Sequence, residues 1–208
     1  MTFKEVVEAV LADRFNENRR ADAKGWVNFR QAWVWSLEEW TFRQATDDVT
    51  VTSGSQLVSG VAADFLTALA LFSSDGTPLF PVLDHREFYA EYFNNVTPVT
   101  DTPEAFTVLG GSILVGPTSN VSAADYKLIY ERGPTELVDD GAISTIPEAF
   151  HMMLVHGGAS EGLKLQNDPT WESYEQDFTA AIEVMRQDYL LPIRGAPQQF
   201  GAATAHWG

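Results

Sequence analysis

Apolar residues recur at helical spacing over residues 1–46, alternate along much of 47–138, and return to helical spacing over 139–191. A period of 3.6 buries one stripe of a helix, and a period of two buries one face of a strand. This order of helices, strands and helices constrains the fold more than any single motif. It predicts an α+β fold: a four-helix bundle interrupted by a β-rich insertion. The expected bundle is discontinuous, residues 1–46 with 139–191, and the insertion spans 47–138. Residues 192–208 are rich in Pro, Gly, Ala and Gln without periodicity and read as a flexible C-terminal tail.

Phe3, Val6, Val7, Val10, Leu11 and Phe15 predict a first helix over 2–16. The second helix, expected over 22–43, holds WVNFRQAWVWSLEEW, with four of the six tryptophans in the chain. Trp26, Phe29, Trp33, Leu37 and Trp40 step by three or four, which places them on one face and favours core packing over a stacking platform for sugars or bases. Trp35 lies off that stripe and is the indole expected to meet a second surface. A third helix should begin near Pro147, capped by Ser144 or Thr145, and stop near Asn167. Asp168-Pro169 starts a fourth, running to about Leu191, with Trp171, Tyr174, Phe178, Ile182, Met185 and Tyr189 as its stripe. Gly158 and Gly162, one turn apart, thin the third helix for a bulky neighbour: the indole face of helix two, or another subunit.

In the insertion, VTVTS at 49–53 reads as a strand, and 64–83 as a hairpin turning at Asp75-Gly76. DHREFYAEYF at 84–93 reads as a short helix capped by Asp84. AFTVL and SILVG flank Gly110-Gly111 as a second hairpin, and DYKLIYER at 125–132 alternates.

The chain has no cysteine, which removes disulfides and thiolate chemistry and fits a reducing compartment. The N-terminus mixes charge into its apolar positions, unlike a signal peptide, and no apolar run is long enough to span a bilayer, so a soluble protein without membrane partners is expected. The net charge is −16 and unevenly spread. Residues 1–46 carry seven acids and seven bases, 47–138 twelve and three, 139–191 ten and two, and the tail only Arg194. Such a surface repels phosphate backbones. Glu148 and His151 have Glu-x-x-His spacing, but the second such pair of a di-metal bundle is missing, and His151 and His156 do not share a helix face. No nucleophile elbow, P-loop or dinucleotide fingerprint occurs, so no cofactor or catalytic residue is expected. Two rival readings remain: an acidic binding module or DNA mimic, and an enzyme built around Asp84, His85 and Glu87, which residue type alone supports.

Two blocks carry a family resemblance. One is Gly25–Phe42, GWVNFRQAWVWSLEEWTF. The other is Thr145–Leu190, containing IPEAFHMMLVHGGASEGLKLQNDPTWESYEQDFTAAIEVMRQDYL. Together they resemble head-to-tail adaptor (head completion or neck connector) proteins of tailed bacteriophages. The resemblance implies a non-enzymatic virion protein of the neck, made in the host cytoplasm. Its implied partners are the portal protein, a neck or tail-completion protein and further copies of itself in a dodecameric ring. DNA would pass through that ring without specific binding. It further implies that the tail grips the portal, with Arg194, Phe200 and Trp207 as contact candidates. Trp35, Gly158 and Gly162 are the candidates for subunit contacts.

Overall fold

The computed structural model describes residues 1–93, 100–120 and 124–190. Thr2 starts α1 (Phe3–Arg14) with a capping box: its hydroxyl accepts from the Glu5 N–H, and the Glu5 carboxylate accepts from the Thr2 N–H at 2.7 Å. Helix α2 spans Arg20–Leu37, shorter than the spacing predicts, because Glu38 turns extended. The Arg43 guanidinium then donates to the carbonyls of Trp35 (3.3 Å) and Glu38 (3.0 Å), placing a cation at the negative end of the helix. Trp40 is fully buried beyond that end, its indole N–H donating to the Val34 carbonyl at 2.8 Å. As expected, Asp84 caps α3 (His85–Tyr92) by accepting from the Arg86 N–H. A single 3-10 turn at Glu148–Phe150 leads into α4 (His151–Leu165), and α5 spans Trp171–Tyr189.

The α+β class holds, but the four-helix bundle does not form. A bundle helix buries one stripe and shares a central seam with its neighbours. Helix α4 instead is buried nearly all round, at His151, Met153, Leu154, Val155, Gly157, Gly158, Ala159, Ser160, Gly162 and Leu163. Helices α1, α2 and α5 pack around it, so α4 occupies the place of the seam. Its small residues make this possible, since a β-carbon at Gly162 would collide with Trp26 and Phe15, and one at Gly158 would press on Val10 and Val27 at 3.1 Å. The periodicity of α4 alone does not distinguish a buried stripe from burial on every side.

The β region is a curled, mainly antiparallel sheet. Strands β1 (Gln44–Val51), β2 (Val58–Ser59), β3 (Phe65–Phe72) and β9 (Ala124–Arg132) lie in the order β2-β1-β9-β3. β4 (Phe80–Pro81), β6 (Ala105–Leu109) and β7 (Ser112–Gly116) form a second sheet, and β5 (Thr100–Asp101) pairs with β8 (Thr118–Ser119). Backbone bonds link the sheets at both ends. Val115 N–H donates to Gln56 O, and Leu79 N–H to Leu71 O, each at 2.8 Å. The hairpin expected over 64–83 is therefore only partial. It turns at Asp75-Gly76, but after Leu79 the chain crosses to run parallel to β6. The second hairpin forms as read, with Gly110 and Gly111 both at positive φ in the turn.

Two apolar cores result. One joins α1, α2, α4 and α5 with Trp40, Leu137 and Ile146. The other lies inside the curl, where Val49, Val51, Tyr126, Leu128 and Tyr130 alternate inward to meet Leu71, Phe106, Ile113 and Val115. Polar bonds join the two parts: Arg43 pairs with Glu131, the Arg132 guanidinium donates to the Phe42 carbonyl at 2.7 Å, and the Gln31 amide donates to the Thr135 carbonyl at 2.8 Å.

Candidate functional site

Helix α2 has two unlike faces. The inner face is Ala23, Trp26, Val27, Arg30, Gln31, Val34 and Trp35. Two polar residues occupy it, Gln31 and Arg30, each bonded to partners on other elements. Gln31 donates to Thr135 O and accepts from the Ser144 hydroxyl at 2.6 Å. Arg30 pairs with Glu161 of α4 and holds Glu175 of α5 in a two-pronged bond, at 3.1 and 2.6 Å. The Arg30 guanidinium also lies 4.6 Å over the Phe178 ring and 5.6 Å from the Trp33 ring. The Ser160 hydroxyl and the Lys164 ammonium donate to Glu175 as well, at 2.7 and 3.1 Å. Burial alone would raise the Glu175 pKa, but the hydrogen bonds from Arg30, Ser160 and Lys164 outweigh it and bring it down to about 2. This ion cluster locks α2, α4 and α5 together.

Trp26 and Trp40 are buried as the spacing predicts, but the outer face carries two other aromatics that it assigns to the core. Phe29 is 57% exposed and Trp33 37%, whereas Trp35 is 3% exposed. The expected roles of Trp33 and Trp35 are thus reversed. Trp35 packs edge-on against Phe42, and Trp33 leans on Phe178 at the rim of the core. The buried stripe is rotated relative to the aromatic one because Arg30 and Gln31 belong to it, and composition alone assigns such residues to the surface. The nearest signal in the sequence is the supply of opposite charges on neighbouring helices, Glu161 and Glu175.

A second apolar surface lies on the β region. Leu83 is 89% and Phe80 73% exposed, and on α3 the part-exposed Tyr89 and Phe93 rings lie tilted with centres 4.5 Å apart. Beneath, Tyr92 packs on Gly116, where a β-carbon would collide with its ring. Burial first, then the charges of Glu91 and Glu104, push the Tyr92 hydroxyl up to about 12. The solvent face of α5 is different again, with Glu172, Asp177, Glu183 and Asp188 spread along it.

Trp35, Gly158 and Gly162, picked out from the sequence for subunit contacts, all lie inside the chain's own core. The bulky neighbours of the two glycines are Trp26, Phe15, Val10 and Val27, so the indole face of α2 fills the thinned helix. Trp35 has no free surface to offer, which corrects the expectation that it faces outward. Arg194, Phe200 and Trp207 lie outside the described residues, as does His206. His151 Nε2 lies 2.8 Å from the Ile146 carbonyl and its Nδ1 lies 3.0 Å from the Met1 amino group, so both ring nitrogens are occupied. Of the three residues of the enzyme reading, Asp84 caps α3, His85 bonds Thr107 at 3.1 Å, and Glu87 is exposed. Among the described residues, no three His, Asp or Glu side chains are grouped to hold a metal ion, and no helix is long and apolar enough to cross a membrane.

The described residues thus form a helical core braced by partly buried ion pairs, with large apolar side chains left exposed on α2 and on the β region. Residues 1–198 match the family model described as SU10 adaptor protein, and the chain belongs to that family of tailed-phage head-to-tail adaptors. No curated protein matches it. Membership makes it a structural component of the virion at the head–tail junction, with partners among the proteins of that junction.

Proposed function

We propose that the protein forms a dodecameric ring between the portal and the neck or tail, extending the DNA channel. In this reading residues 1–46 with 139–191 and the insertion 47–138 work as two domains, and residues 192–208 dock the ring on the portal protein through Arg194, Phe200 and Trp207. The observation that carries the reading is the family match over nearly the whole chain, which reaches into the tail and includes Arg194. The charge distribution supports it. Acids outnumber bases by 22 to 5 over residues 47–191, the sum of the two acidic segments, and the tail has no acid at all. Carboxylates on a channel wall repel passing DNA within a Debye length of about 8 Å at physiological salt. A neutral tail with aromatic and arginine side chains suits anchoring on another protein. Trp35, Gly158 and Gly162 contribute from inside, by fixing how α2 and α4 pack behind the contact surfaces.

Portal binding by the full chain and by a chain ending at Leu191 tests the docking claim. Loss of binding on truncation is expected, and unchanged affinity would remove the tail from the reading. The mass of assembled junctions tests the ring. A one-to-one complex with a basic protein that weakens steeply with salt would instead favour the acidic-module reading.

A further inference from the structure

The exposed side of α2 is unusual for this chain. From Ala21 to Ser36 its exposed residues are Ala21, Asp22, Gly25, Phe29, Ala32, Trp33 and Ser36. After Asp22, which pairs with Arg19, none of them carries a charge. The Ser36 hydroxyl is turned onto the Trp33 carbonyl at 2.7 Å. By contrast α1 exposes Lys4, Glu5 and Glu8, and α5 exposes four acids. From Gly25 to Ser36, a face about 18 Å long at 1.5 Å per residue thus presents two aromatic rings among small side chains. Gly25 adds an independent clue. A glycine inside a helix is destabilising relative to alanine. A β-carbon there would meet nothing within 4 Å, so no contact among the described residues calls for it.

We propose that this outer face of α2, with Phe29 and Trp33 as anchors and Gly25 allowing close approach, is where a second copy of the chain docks. The occupant follows from charge. A basic partner would be met by carboxylates, of which this chain has many to spare. Two copies each carrying −16 repel one another, and they can press together only where neither presents charge. The contact therefore uses the uncharged strip, and exposed Phe and Trp side chains are what such a contact buries. The inference deepens the ring reading and rests on its self-assembly. In a closed ring the receiving surface on the neighbour is a different one, because a face that meets itself stops at a dimer.

Photo-crosslinking in assembled head–tail junctions tests it, with Phe29 replaced by p-benzoylphenylalanine in the full chain. An adduct of two adaptor chains is expected, mapping on the second copy to residues outside α2. An adduct to a portal or tail protein, or none in assembled junctions, overturns the inference. An adduct from α2 to α2 keeps the self-contact and sinks the ring, and copy number per junction, measured on the same particles, tests the ring separately. As a second measurement, Phe29→Asp should weaken incorporation into junctions at least tenfold while leaving the melting temperature of the free chain unchanged. Wild-type incorporation by a stably folded Phe29→Asp chain would also overturn the proposal.

Discussion

Each face of α2 holds two residues that hydrophobicity alone would place on the other. The inner face buries an arginine and a glutamine, and the outer face exposes a phenylalanine and a tryptophan. Burial here is decided by what other elements bring to each position. Arg30 is inside because Glu161 and Glu175 meet it, and Gln31 because Ser144 and the Thr135 carbonyl do. The outer aromatics are outside because nothing among the described residues covers them.

Substitutions on each side can break or sharpen this contrast. The largest effects belong to the inner face. Arg30→Ala leaves two partly buried carboxylates with only Lys164 and Ser160 to meet them and should cost about 3–5 kcal/mol in urea unfolding. Trp35→Ala should cost a similar amount, about 3–5 kcal/mol, as a large core side chain lost. Phe29→Ser on the outer face should stay within about 0.5 kcal/mol of wild type. Equal losses at Trp35 and Phe29 would erase the distinction between the faces.

Acid should loosen the inner face next. The Glu175 pKa is depressed in the fold, so its stabilisation is fully present above the unfolded value of 4.5 and is lost as pH falls from there through about 2. The contribution is about 2–3 kcal/mol, kept at that level because the carboxylate is partly wet. Urea midpoints between pH 6 and pH 2.5 should converge for wild type and Glu175→Gln. A gap that does not narrow would remove Glu175 from the ion cluster.

The glycines give the most pointed test. Gly162→Ala forces a β-carbon into Trp26 and Phe15 and should destabilise by about 1–3 kcal/mol despite the better helix former. Gly25→Ala meets open space and should stabilise the free chain by about 0.5–1 kcal/mol. Thermal melts of the two variants should shift in opposite directions.

Much of the fold was legible because local patterns carry it. Asp84 before its helix, the glycine pair at 110–111 and the alternation of Tyr126, Leu128 and Tyr130 each specify local structure that neighbouring residues satisfy. The position of Trp35 was not legible. Its face depends on Arg30 and Gln31 being buried, and their partners lie more than a hundred residues away, apart from the short-range bonds of the helix itself.

By itself, then, the sequence determined the order of helices and strands, the Asp84 cap and the turn at Gly110-Gly111, the excess of acid beyond a neutral N-terminal part, and the family resemblance. Tertiary structure alone decided that α4 sits at the centre of the helices, that residues 78–81 cross from one sheet to the other, and which side of WVNFRQAWVWSLEEW faces in. The physical reason is the same in all three. Propensity, capping and alternation act between residues a few positions apart, whereas the burial of a charge or a small residue depends on distant groups that only folding brings within reach.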